Sequence, residues 1–209
     1  MTATIELDRL TKSDGTARGV VDLELSVEAG QVFGFLGPNA AGKSTTMRVL
    51  LDLHRPTDGH ARVFGLDSHA SSVEIRRRVG YLSGDVALYE RLGVQEHLEW
   101  LAELRGGVPS AEIEALAERF GLDMTRRVGE LSKGNRQKVG LVQAFMGSPE
   151  LLVLDEPTAG LDPLVQHAFQ ELVAEVASEG RTVFLSSHVI DEVDRTCDRV
   201  AIIREGRLV

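Results

Sequence analysis

The chain has 209 residues, of which 43% are hydrophobic, enough to bury a core as one domain. Its formal net charge of −9 gives no electrostatic footprint for nucleic acid, and the short basic run Arg76, Arg77, Arg78 reads as a solvated helix face. No apolar stretch approaches the roughly 20 residues needed to span a bilayer. Residues 1–10 also lack the basic start and apolar middle of a signal peptide, so any membrane role comes through a partner. The single cysteine, Cys197, has no internal disulfide partner and reads as a small core residue in a reducing cytosol.

In chain order, residues 4–10 and 21–27 alternate enough to be strands of a half-buried antiparallel layer, separated by a turn-rich stretch at 13–19. The apolar run 31–36 predicts a strand, and it leads directly into Gly37, Pro38, Asn39, Ala40, Ala41, Gly42, Lys43, Ser44 and Thr45. Glycine is needed at both ends of such a loop because the backbone must wrap closely around phosphates with its N–H groups turned inward. Lys43 then reaches the outer phosphates. Ser44 opens a helix over residues 45–51, with its hydroxyl on Mg²⁺ and the helix N-terminus facing the anion. The full spacing after a strand makes this a P-loop, and the chain a binder of nucleoside triphosphate.

Trp100, Leu101 and Leu104, in the segment 96–104, and Ile113, Leu116, Ala117 and Phe120, at helical spacing, read as core positions of a helical subdomain covering about residues 86–147. Within it, Leu131, Ser132, Lys133, Gly134, Asn135, Arg136 and Gln137 precede a helix patterned by Val139, Val142, Phe145 and Met146, and Ser and Gly at a helix start suit phosphate binding.

Residues 151–154 form a wholly apolar run of the kind buried on both faces of a parallel sheet, and it ends in Asp155 and Glu156. A carboxylate at the carboxyl end of a buried strand beside a P-loop suits the Mg²⁺ shell, which assigns Asp155. Glu156, one residue on, points to a different side of the chain and is placed to orient or deprotonate an attacking water. Val165, Phe169, Leu172, Val173 and Val176 then make an amphipathic helix, and residues 182–185 return as a strand before His188. Alternating strand and helix around a P-loop predicts an α/β fold with a mostly parallel sheet. There is no internal repeat or low-complexity linker, so residues 1–209 read as a single domain.

These motifs, in this order, resemble the nucleotide-binding domain of ATP-binding cassette (ABC) transporters over essentially the whole chain. Walker A corresponds to residues 37–45, the strand before the Q-loop to 79–82, the signature to 131–135, Walker B to 151–156, the D-loop to Ala159, Gly160, Leu161 and Asp162, and the switch histidine to His188. The resemblance implies a P-loop core carrying an antiparallel β layer and a helical subdomain, with ATP and Mg²⁺ as ligands. It further implies a head-to-tail dimer in which Ser132 and Gly134 meet the nucleotide of the second subunit, Asp162 lies at the dimer interface and His188 contacts the γ-phosphate. Transmembrane permease subunits are the implied partners, on the cytoplasmic face of the cell membrane, and the motif variants look most like the bacterial export branch.

The chain departs from that pattern at Asp14, where an aromatic usually stacks on adenine, at Gly84, in the place of the Q-loop glutamine, and at Asn135, a shorter amide than the usual Gln. The other classes weighed are a soluble ABC protein acting on ribosomes or DNA and a nucleotide-binding regulatory module with weak hydrolysis. Tandem cassettes and an inserted coiled coil, the marks of the first, are missing; intact Lys43, Asp155, Glu156 and His188 argue against the second.

Overall fold

A computed structural model of the chain describes residues 3–14 and 17–209. The first strands, β1 (Ala3–Asp14) and β2 (Ala17–Glu28), pair antiparallel. Both run longer than their alternation suggests, and most of the stretch expected as a link at 13–19 continues them. Register shifts between Leu7 and Leu10 and between Leu10 and Lys12 carry the pairing past the break in pattern, in the manner of β-bulges. Next come β3 (Val32–Leu36) and α1 (Lys43–Leu50). The chain then returns to the antiparallel layer with β4 (Asp58–Val63) and β5 (Leu66–Asp67), giving the order β2-β1-β4-β5.

α2 (Ser72–Arg78) runs straight into β6 (Val79–Leu82). A helical segment follows, made of α3 (Val94–Leu104), α4 (Ser110–Arg119), a 3-10 turn at Val128–Glu130 and α5 (Lys133–Phe145). After it come β7 (Leu151–Asp155), α6 (Pro163–Ser178), β8 (Thr182–Ser187), α7 (Ile190–Thr196), β9 (Arg199–Arg204) and β10 (Arg207–Leu208). The second sheet has the order β10-β9-β3-β8-β7-β6; its strands from β9 to β6 are parallel, and β10 pairs antiparallel with β9. This is the mixed α/β architecture that the sequence pattern predicts.

The central strands of the parallel sheet, β3, β8 and β7, are buried on both faces, which is why β7 reads as an unbroken apolar run. Leu152 and Leu154 of β7, with Val183 and Leu185 of β8, pack towards α5 and α6. Leu151, Val153 and Phe184 point the other way, into a second core shared with α1 and the antiparallel layer. Each fully buried side chain of this size contributes about 1.5–3 kcal/mol, so the sheet is clamped between two apolar layers.

One core expectation fails. Trp100 is 39% and Leu104 67% exposed, although both were expected inside. The buried face of α3 is Val94, His97, Leu98 and Ala102, its apolar members spaced four residues apart; two residues further round a 3.6-residue helix, Trp100 and Leu104 face away. Trp100 instead meets Tyr89 edge to face, with ring centroids 5.0 Å apart. Cys197 is half-buried against the core, and burial pushes its thiol pKa up to about 12. Of the basic run, Arg76 and Arg77 are exposed, whereas Arg78 makes a bidentate pair with Glu150.

Candidate functional site

Because β8 lies between β3 and β7, the loops after all three strands open at one carboxyl edge of the sheet. The pairing keeps them level: Leu36 lies opposite Ser187, and Asp155 opposite Ser186. The P-loop leaves β3 pinned to this edge, with Gly37 N–H donating to the Ser187 carbonyl at 3.1 Å. A Cβ at Gly37 would stand 2.3 Å from the Ile203 carbonyl oxygen, so the position has no room for a side chain. Gly42 takes a φ of 112°, open to glycine alone at low cost, and caps α1. Thr46 N–H and Oγ1 both donate to the Gly42 carbonyl at 3.0 Å, so the helix begins at Lys43 and ends at Leu50, ahead of the span 45–51 expected from the sequence. The antiparallel layer and the final hairpin hold the loop from outside: Gly206 N–H donates to Ala41 O, and Val21 N–H to Gly206 O.

Lys43 is buried and folds back across the loop, donating to Gly37 O at 2.5 Å and Pro38 O at 3.2 Å. Its Nζ also lies 3.1 Å from Glu156 Oε1. The other carboxylate oxygen of Glu156 meets His188 Nδ1 at 2.8 Å. Asp155, only 2% exposed, accepts a 2.6 Å hydrogen bond on Oδ1 from Ser186 Oγ. Lys43, Asp155, Glu156 and His188, drawn from three separate parts of the sequence, thus converge at one place. Among the described residues no group of three or more His, Cys, Asp or Glu forms an all-protein metal cage. One hydroxyl and one carboxylate beside a phosphate loop, Ser44 and Asp155, match the way Mg²⁺ is held through nucleotide phosphates and water.

The remaining expected site residues sit elsewhere. Ser132 caps α5, its Oγ accepting from Asn135 N–H at 3.3 Å. Gly134 backs onto the 159–162 loop, and a Cβ there would lie 2.7 Å from the Gly160 carbonyl oxygen. Among the described residues, none of the hydrogen bonds of Ser132 or Gly134 reaches residues 37–45. Asp162 caps α6, its Oδ1 accepting from Leu164 and Val165 N–H at 3.1 Å, with Pro163 in the first turn. Gly84 lies against the site, since a Cβ on it would be 3.1 Å from Asp155 Oδ2; Asp85 is exposed. The Asp14 side chain lies outside the described residues.

Two contributors were missed at the sequence level. Ser186, fully buried, donates to Asp155 Oδ1 and accepts from Glu156 N–H at 3.0 Å, tying the two acidic residues together. Gln137, on the second turn of α5, donates from Nε2 to the carbonyls of Glu156 and Pro157 at 3.1 and 3.0 Å. Ser186 is marked in the sequence only as a serine ending an apolar strand, and Gln137 only by its nearness to Ser132 and Gly134.

A parallel sheet whose third strand opens into a glycine-bounded cradle, with buried acid at the end of a neighbouring strand, defines a P-loop protein that binds nucleoside triphosphate. The sequence model of the family described as "ABC transporter" matches residues 20–159, and the chain belongs to this family, as an ATP-binding subunit. It is 38% identical over 198 residues to the ABC transporter ATP-binding protein NatA of Bacillus subtilis (strain 168), covering 92% of this chain and 80% of the relative. It is also 38% identical over 212 residues to the bacitracin transport ATP-binding protein BcrA of Bacillus licheniformis, covering 100% of this chain and 69% of that one. Among solved structures, the ATP-binding subunit of an ABC transporter superposes with a TM-score of 0.89 at 32% identity, covering 99% of this chain and 88% of the other.

Proposed function

We propose that this chain hydrolyses Mg·ATP to drive export through membrane-spanning partners, using composite sites formed between two copies. The observation that carries the reading is the Glu156 carboxylate, one residue beyond buried Asp155 and shared between Lys43 and His188. In this reading the N–H groups of residues 37–45 wrap the phosphates, and Lys43 exchanges its loop carbonyls for phosphate oxygens. Ser44 and Asp155 would hold Mg²⁺, which supplies neutralisation of phosphate charge. Glu156 orients the attacking water and takes its proton, while His188 steadies the carboxylate and faces the γ-phosphate.

The exposed start of α5 supports the dimer. Ser132 presents a phosphate-binding helix terminus with no phosphate loop of its own chain hydrogen-bonded to it, a layout that is useful when a second P-loop faces it. Among the described residues no helix is long and apolar enough to cross a membrane, and in this reading the path across it is provided by permease subunits. A shallow apolar hollow of about 210 Å³ between Tyr89, Leu92, Glu96 and Trp100 supplies exposed aromatic surface for such a partner. The likeness to a bacitracin transport ATP-binding protein supports a role in transport, and export from the cytoplasmic face of the membrane is the direction of this proposal.

Glu156→Gln tests the reading. It removes the base and keeps the shape, so turnover should fall by a factor on the order of 10² or more with nucleotide binding retained. Unchanged turnover would remove Glu156 from the reaction and overturn the proposed mechanism.

A further inference from the structure

Glu156 holds an unusual backbone conformation for its residue type, with a φ of 50° in the left-handed region that side chains larger than Asn or Asp seldom occupy. Such a conformation is strained for a side chain of this type and persists only where the surroundings over-determine it. Here they do so through two side chains. Ser186 Oγ accepts the Glu156 N–H, and the Gln137 amide donates to the carbonyls of both Glu156 and Pro157. Gln137 is 4% exposed, and its side-chain amide gives both of these hydrogen bonds to that backbone. It lies on α5, four residues after Lys133, which begins the helix capped by Ser132.

We propose that Gln137 is a positioning residue for Glu156: it locks the left-handed turn that aims the carboxylate, and it makes that aim depend on where α5 sits. The inference rests on the function proposed above. If Ser132 and Gly134 engage the nucleotide held by a second copy, α5 is the element that feels the engagement, and Gln137 is its direct polar link to the backbone carrying the proposed base. Displacing α5 by a fraction of an ångström lengthens two hydrogen bonds to one short turn, which alters the direction of the Glu156 side chain before it alters any group that holds nucleotide. Hydrolysis is thereby tied to engagement of the signature helix, while nucleotide capture by the P-loop is left free of it.

The test is steady-state ATP hydrolysis and nucleotide binding by the full chain carrying Gln137→Met, which keeps side-chain length and removes both amide hydrogens. Expected is a fall in kcat of about tenfold or more, with KM and the binding of a fluorescent ATP analogue within about twofold of wild type. Combined with Glu156→Gln, the substitution should cause no further loss, because the group it positions is gone. Gln137→Glu gives a second variant of the same length that sets a carboxylate against two carbonyl oxygens; the same kcat loss is expected, which keeps the test decisive if the methionine variant fails to fold. An unchanged kcat, a parallel loss of nucleotide affinity and thermal stability, or an additive loss on Glu156→Gln would overturn the proposal. Full turnover in Glu156→Gln itself would instead bring down the hydrolytic reading on which it stands.

Discussion

At the scale of single residues, the site depends on polar side chains whose partners are other site groups. Ser186 shows this most clearly, since one hydroxyl serves both the Asp155 carboxylate and the Glu156 N–H inside the protein. Ser186→Ala leaves a buried Asp155 oxygen and the part-buried Glu156 N–H without their partner, so unfolding free energy should drop by about 1–3 kcal/mol in chemical denaturation. An unchanged midpoint and slope would mean that water or a rotated side chain replaces the hydroxyl. The convergence of Lys43, Asp155, Glu156 and His188 was legible because their chemistry has fixed neighbours in the chain: a glycine-bounded loop, a buried strand end, a strand followed by serines. Gln137 was not legible in the same way. Its hydrogen bonds go to main-chain carbonyls, which every residue carries, so no second residue type in the sequence signals the contact.

At the scale of elements, strongly periodic segments could be read and their edges or faces less so. The P-loop helix starts at Lys43 because Gly42, in a left-handed conformation, already turns the chain, a fact about one dihedral angle that composition does not carry. In α3 the sequence offers apolar residues on more than one side, and packing against α5 selected Val94, Leu98 and Ala102 over Trp100 and Leu104. The stretch 13–19 was read as a loop because turn-forming residues cluster there, whereas pairing through bulges carries β1 as far as Asp14. The junction of α5 with the 159–162 loop gives a prediction at this scale. Gly134→Ala would push a methyl to 2.7 Å from the Gly160 carbonyl oxygen, so the helix start or the loop must shift. Overpacking of this kind typically costs about 1–3 kcal/mol, and the melting temperature should fall accordingly. A variant as stable as wild type would mean that the loop yields freely and does not brace the helix.

At the scale of the whole molecule, the α/β class follows from alternating strands and helices around the P-loop, but the strand order does not. That β8 inserts between β3 and β7, and so brings His188 within 2.8 Å of Glu156, emerges only from tertiary pairing. The same arrangement leaves the start of α5 facing outward on one subunit, and this is where the account is most exposed to test. Ser132→Arg puts a bulky cation at the helix start while sparing its own P-loop, and Lys43→Ala disables the P-loop while sparing the signature. Each variant alone should bind or present only half of a site and hydrolyse little ATP. Mixed in equal amounts with Mg·ATP, they should recover turnover, because a heterodimer contains one site built from the intact P-loop of the first and the intact α5 of the second. Folded variants that remain as inactive together as they are apart would contradict the composite site.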